Sequence, residues 1–213
     1  VDAIRDAMRR RGIHACVIPS SDPHCGEYVP AHWQAREWIS GFNGSAGTAV
    51  VTLDDARLWT DSRYFIAAAQ QLDGTPFTLM KDGTHGTPSI AKWLITTLPN
   101  GSVVAADGWV WDYSTLSAIK DELLTAGLQL RTDIDLPSLV WTNRPPLPLD
   151  PIEIQPLEYA GESAASKLAR LSQQIDTVCP HKWHLILCAL DDIAWLCNIR
   201  CTDVHCTPLA VSY

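Results

Sequence analysis

Apolar and polar positions alternate along the chain in two rhythms, and the switches between them mark out its elements. From Asp2 to Arg11 the apolar residues Ala3, Ile4, Ala7 and Met8 recur at helical spacing, and Gly12 ends the helix. Ala15-Cys16-Val17-Ile18 is an uninterrupted apolar run of strand length, closed by the turn Pro19-Ser20-Ser21-Asp22-Pro23-His24. A helix carrying Trp33 and Trp38 follows. The pattern is densest from Ser40 to Phe65, SGFNGSAGTAVVTLDDARLWTDSRYF. There Gly41, Gly44 and Gly47 form a turn into the β-branched run Thr48–Thr52, Asp54-Asp55 turns the chain, and Arg57-Leu58-Trp59-Thr60 makes a second strand. Asp61-Ser62-Arg63-Tyr64-Phe65 opens a helix over Ile66–Gln71. This strand pair is expected to lie in the middle of a sheet, with Arg63 at its rim. Strand Phe77–Met80, helix Ser89–Leu94, strand Val103–Asp107 and helix Ser114–Ala126 continue the alternation, which predicts an α/β domain with a mixed or largely parallel sheet.

The pattern breaks at Asn143–Pro151, where four prolines stand close together and can continue neither helix nor sheet. This stiff linker sets a domain boundary near residue 150. Beyond it, Ser163 opens a helix running to Ile175 with Leu168, Leu171 and Ile175 on one stripe, then an apolar strand Leu185–Cys188 and the turn Ala189-Leu190-Asp191-Asp192. Residues 2–42 and 163–199 share one order: helix, apolar strand, polar turn with Asp, Trp-bearing segment. The second copy stops short of the sheet that the first goes on to build. Either this second domain is small and irregular or the chain is a fragment of a longer protein, and the fragment is expected because a half-copy would leave an apolar face uncovered.

Composition narrows the function classes. A chain of 213 residues with 46% hydrophobic and 19% charged residues can bury a large core. Its net charge of -8 argues against a nucleic-acid partner, which would leave a basic balance. Arg9-Arg10-Arg11 reads as a solvated helix end, where cations favour the macrodipole. No run approaches the roughly 20 apolar residues that a membrane span needs, and the charged amino-terminal helix does not read as a signal peptide. Seven scattered cysteines fit a reducing, cytoplasmic setting better than a disulfide framework. In that setting the Asn43-Gly44-Ser45 sequon carries no meaning.

Several motifs invite chemistry and most have a structural reading. The Gly41, Gly44, Gly47 spacing is neither a dinucleotide fingerprint nor a Walker loop, and it leads into a strand instead of a helix. Gly44-Ser45-Ala46-Gly47 lacks the glycine and the preceding strand of a nucleophile elbow, so Ser45 is an outside candidate for a hydrolase nucleophile. His181, His184, Cys197, Cys201, His205 and Cys206 contain no Cys-x-x-Cys pair, and the thiols read as ordinary buried residues. Asp191-Asp192 reads as a helix cap. Arg63 stays open between two roles. Its guanidinium either pairs with Asp61, or faces outward to receive a carboxylate or peptide carbonyl bidentately.

At Ser21-Asp22-Pro23-His24 with Glu27-Tyr28, Ser40-Gly41-Phe42 with Gly44–Ala49, Trp59-Thr60-Asp61 with Arg63-Tyr64-Phe65, Leu79-Met80-Lys81, Val140-Trp141-Thr142 with Arg144-Pro145, Ala189–Leu196 with Asn198-Ile199-Arg200, and Pro208 with Ser212-Tyr213, the sequence resembles a known family. It looks like the amino-terminal part of the cytosolic Xaa-Pro aminopeptidases, the aminopeptidase P branch of the creatinase/prolidase metallopeptidases. The resemblance implies a creatinase-like mixed β-sheet flanked by helices as domain I (1–150), then a linker and an incomplete domain II of the same type (151–213), with the catalytic pita-bread domain absent. It further implies a parent hydrolase, a homodimer that removes the residue preceding a proline from a peptide's amino terminus. That enzyme uses two divalent metal ions, commonly manganese, held by two Asp, one His and two Glu of the missing domain. No catalytic residue and no metal ligand is then expected in this chain, and no membrane or nucleic-acid partner. The isolated chain is expected to be inactive. Arg63 matches the arginine of the family's Trp-Thr-Asp-Gly-Arg-Tyr motif, which reaches toward substrate and positions it. Two glycines of the family pattern are replaced, by Ser62 and by Cys201, and around Cys179-Pro180-His181 the chain departs from it. The alternative is a stand-alone protein-interaction module that has lost the peptidase.

Overall fold

The apolar run Ala15–Pro19 is buried at all five positions and forms the first strand of the computed structural model, which describes residues 1–179 and 181–212. Pro180, in the segment where the chain departs from the family pattern, and Tyr213, the last of the family-like residues, lie outside the described residues. Contacts divide the chain into two compact units, Val1–Pro146 and Leu147–Tyr213.

In the first unit the order is α1 (Asp2–Arg9), β1 (Ala15–Pro19), α2 (Ala35–Ser40), β2 (Thr48–Thr52), β3 (Ala56–Thr60), α3 (Phe65–Gln71), β4 (Thr78–Lys81), α4 (Ile90–Thr97), β5 (Val103–Ala106), α5 (Tyr113–Thr125) and β6 (Gln129–Arg131). The strands form one six-stranded mixed sheet in the order β4-β3-β2-β1-β5-β6. β2 runs antiparallel to both of its neighbours, and the remaining pairings are parallel. Side chains alternate between the two faces, and each face meets helices. Cys16, Ile18, Ala49, Val51 and Leu58 share one core with Ile4, Met8 and Phe42, while Ala15, Val17, Val50, Trp59 and Val104 share the other with Trp93, Leu94 and Leu123. Burial on both faces explains why the inner strands read as near-continuous apolar runs.

Ser89 caps α4 by accepting from the Lys92 N–H, and Asp112 caps α5 by accepting from the Thr115 N–H. Trp33 does not share a helix with Trp38. It ends a separate 3-10 turn, Ala31–Trp33, because Gln34 leaves helical geometry at ψ 40° before α2 begins. β6 was not legible in the sequence: its three residues pair only with the β5 edge, and nothing in their own pattern marks them as a strand.

The second unit comprises β7 (Glu153–Ile154), α6 (Leu157–Ala160), α7 (Ala164–Val178), α8 (Leu190–Cys197) and β8 (Ile199–Arg200), with β7 and β8 antiparallel. Two expectations are corrected here. Leu185–Cys188 is not a strand: among the described residues of this unit the pairings are the β7–β8 ladder and an isolated Val204–Thr207 bridge, and it joins neither. The helix expected from Ser163 to Ile175 is present as α7; Leu168 on its apolar stripe is exposed and Leu171 and Ile175 are half-buried, while the residue that α7 buries is Lys167. Asp191 and Asp192 lie inside the first turn of α8, where their charge favours the helix dipole, and not at its cap.

Candidate functional site

The carboxyl end of β3 turns sharply into α3, and the turn is made by Asp61, Ser62, Arg63 and Tyr64. The Arg63 backbone N–H donates to Asp61 Oδ1 at 3.0 Å, its Nε to the same oxygen at 2.9 Å and its Nη2 to Oδ2 at 2.8 Å. This is a fork on a carboxylate. The hydrogen bonds from Arg63 hold the Asp61 carboxyl below the usual carboxylate range and push the guanidinium up from its own. The pairing with Asp61 that the sequence left open is therefore made. Both side chains face solvent, at 65% and 39% exposure, so the pair adds little to stability and chiefly fixes the direction of the guanidinium at the surface. Arg63 also lies 5.2 Å from the centre of the Tyr64 ring.

Tyr64 links this turn to the glycine-rich loop. Its hydroxyl is 2.7 Å from Ser45 Oγ, and this bond lowers the phenol below the ordinary tyrosine range. Its ring meets Phe42 edge-on at 5.8 Å. A Cβ on Gly44 would come within 2.3 Å of Phe42 Cζ and 2.8 Å of Tyr64 Cδ1, and one on Gly47 within 2.9 Å of the Trp59 carbonyl oxygen. Both glycines are thus required for close approach. Ser45 pairs with the Tyr64 phenol, not with an imidazole or carboxylate that would activate it. Beside Asp61 lies an open groove of about 370 Å³ with Gly47, Trp59, Thr60, Asp82 and Glu122 on its walls. These features suit binding and orientation rather than bond-making.

Other sequence candidates do not join the site. Among the described residues no three His, Cys, Asp or Glu side chains come together in a way that could hold a metal ion. Of the thiols grouped with histidines, Cys201 is buried, but Cys197 and Cys206 are exposed, contrary to the expectation of buried thiols, because they flank the helix end and turns at the surface of the second unit. The replaced glycines are accommodated. Among the described residues the left-handed non-glycine ones are Cys25, Asn198 and Cys206, so neither Ser62 nor Cys201 needs glycine's backbone freedom. Arg36 was not singled out in the sequence. It is buried beneath the loop, and nothing in its neighbours along the chain marks it.

A family model for the creatinase/prolidase N-terminal domain matches residues 1–144, and a second model of the same description matches residues 143–213. Among curated relatives, the probable Xaa-Pro aminopeptidase P of Metarhizium acridum is 38% identical over 214 residues, covering 99% of this chain and 34% of the relative. The Xaa-Pro aminopeptidase ApepP of Drosophila melanogaster is 40% identical over 204 residues, 95% of this chain and 33% of the relative. Among solved structures, the X-prolyl aminopeptidase of Caenorhabditis elegans, described as a cytosolic enzyme with a di-nuclear active site, matches with a TM-score of 0.80 at 33% identity over 94% of this chain and 32% of that one. The chain spans about a third of the length of these relatives.

Proposed function

Since the chain belongs to the creatinase/prolidase N-terminal domain family, we propose that it is the amino-terminal, non-catalytic portion of a Xaa-Pro aminopeptidase, whose part is to shape the site and position substrate. The observation that carries this reading is the Caenorhabditis elegans structure, which matches 94% of this chain while the chain accounts for only 32% of that enzyme. In this reading residues 1–150 are a first recognition domain and 151–213 the linker and opening of a second. The second unit's apolar surface supports this: Leu149, Ile154 and Ile186 are each more than 80% exposed, as expected of a domain whose remaining parts would cover them.

The parent enzyme is then a cytoplasmic homodimer acting on peptides with proline in second place. When bound, two divalent ions, manganese in this reading, would supply an activated water and polarise the scissile carbonyl. In this reading that centre belongs to another domain of the parent enzyme, and among the described residues no three His, Cys, Asp or Glu side chains come together. Their part is to present Arg63 to the peptide: its guanidinium is exposed, fixed in direction by Asp61 and close to the groove. A carbonyl or carboxylate of the substrate would compete for, or share, the Arg63 fork.

The isolated chain, incubated with a Xaa-Pro peptide and manganese, is expected to show no turnover; turnover that survives in a chelator-stripped control would overturn the reading. The coding sequence beyond Tyr213 is expected to stay open and to carry two Asp, one His and two Glu as ligands. A stop codon there would favour the interaction module instead. In the peptidase-bearing polypeptide, Arg63→Ala is expected to lower kcat/KM on the order of tenfold or more, mainly through KM, by misplacing the peptide. The fold should be retained, because the pair is solvent-exposed. Unfolding of the variant would assign Arg63 to structure alone.

A further inference from the structure

We propose that Arg36 is the positioning residue of this site: from the inner side of α2 it fixes the glycine-rich loop and, through the Ser45–Tyr64 contact, the direction in which Arg63 is presented. The claim about Arg63's use rests on the function proposed above; the claim about the loop does not.

Arg36 is 5% exposed and spends its guanidinium on three neutral oxygens. Nε donates to Ser20 Oγ at 2.7 Å, while Nη1 donates to the Phe42 carbonyl and Nη2 to the Gly44 carbonyl. Its carbon sits 4.9 Å from the centre of the Phe42 ring. Burial lowers the guanidinium to about 10, which leaves it protonated at neutral pH. A buried charge without a carboxylate in contact is costly, and here it is met by three acceptors, one on each nitrogen, and an aromatic face. Ser20 completes the arrangement, donating from Oγ to the Gly47 carbonyl at 2.8 Å and from its backbone N–H to the same oxygen at 2.9 Å.

The loop from Phe42 to Gly47 is therefore tied at its start, middle and end to one guanidinium or to the serine that this guanidinium holds. Two loop side chains point the other way, toward α3. Ser45 meets Tyr64 at the position that begins the helix, and Asn43 exchanges hydrogen bonds with Gln71, receiving from its Nε2 at 2.8 Å and donating its backbone N–H to Oε1 at 3.0 Å. Arg63 immediately precedes Tyr64 and lies against its ring. A shift of the loop thus moves the residue beside Arg63. Each acceptor here is met by a different nitrogen of arginine's planar fork, whereas lysine's three donors radiate from one nitrogen and do not span the same positions.

The test places fluorotyrosine at position 64 of the 213-residue chain and follows its titration by fluorine NMR. A hydrogen bond to the phenolate lowers the midpoint, so losing the Ser45 contact must raise it. Ser45→Ala defines the full rise. Arg36→Lys is expected to raise the midpoint as far as Ser45→Ala does, and Ser20→Ala part of the way. A folded Arg36→Lys protein with an unchanged midpoint overturns the proposal. If Arg36→Lys does not fold, Ser20→Ala decides by the same reading: a rise supports the proposal and no change overturns it. In the peptidase-bearing polypeptide, Arg36→Lys is expected to raise KM while leaving kcat nearly unchanged, and Arg36→Lys with Arg63→Ala to do no more than Arg63→Ala alone. Should Arg63→Ala leave the kinetics untouched, the substrate role of Arg63 fails, and the fluorine titration still decides whether Arg36 holds the loop.

Discussion

Phe42→Ala is expected to destabilise the first unit by about 3–5 kcal/mol, the range for truncating a fully buried phenylalanine. Phe42 has no exposed surface and packs in the core beneath α1 and α2. Its ring also forms one wall around the Arg36 guanidinium, at 4.9 Å, and receives the edge of Tyr64 at 5.8 Å. Truncation leaves a cavity and opens the buried charge to an empty space, so both the apolar transfer and the aromatic contacts are lost. Urea unfolding at unchanged m-value measures this, and a loss below about 1 kcal/mol would show that the loop collapses into the space. Phe42→Leu keeps most of the volume and is expected to cost less than Phe42→Ala. Arg63→Ala, by contrast, should leave the same curve almost in place, since its ion pair is exposed. The pair of results separates holding the loop from using the arginine.

Lys167→Ala is expected to cost about 2–4 kcal/mol within the second unit, combining two hydrogen bonds from a charged donor with a cation–π contact. Lys167 is 3% exposed. Its Nζ donates to the Trp195 carbonyl at 2.7 Å and to Asn198 Oδ1 at 2.6 Å, and lies 4.2 Å from the centre of the Trp195 ring. Asn198 ends α8 in the left-handed conformation at φ 53° and donates from Nδ2 to the Glu162 carbonyl at 2.8 Å. One lysine thereby joins α7 to the end of α8 and to the residue preceding the cap of α7. Removing it leaves Asn198 Oδ1 without its donor and the Trp195 carbonyl with only the long bond from the Asn198 N–H at 3.4 Å, which costs more than the mean worth of a hydrogen bond. Hydrogen exchange of the α7 and α8 amides should accelerate together. Lys167→Met, which keeps the stem and loses the charge, is expected to behave nearly as badly; full retention in that variant would assign the stabilisation to packing alone.

Legibility in the sequence followed how local each signal was. The inner strands β1, β2 and β3 announced themselves because both faces are buried, and Ser89 and Ser163 marked helix starts by capping them. The segment at Leu185–Cys188 misled because an apolar run shows only that a strand is affordable to its own residues, whereas a strand exists when another offers an edge. β6 failed in the opposite sense, since β5 makes a strand of residues with little pattern of their own. Arg36 and Lys167 stayed invisible for a related reason. Charged residues on a helix are usually solvated, and burial of these two depends on oxygens brought from Ser20, Phe42 and Gly44 in one case and from Trp195 and Asn198 in the other.

By itself the sequence determined the α/β alternation, the glycine turn before β2 and the candidate arginine, because each is written in residues adjacent along the chain. Only the tertiary structure decided how Arg63 is held and by what. The fork to Asp61 needs a turn of particular shape, and that turn is braced by a loop whose ties run to a helix and a strand end remote from it in sequence. Asp61 aims the exposed arginine from two residues away along the chain, while the loop beside it is held by a buried arginine whose acceptors meet only in space.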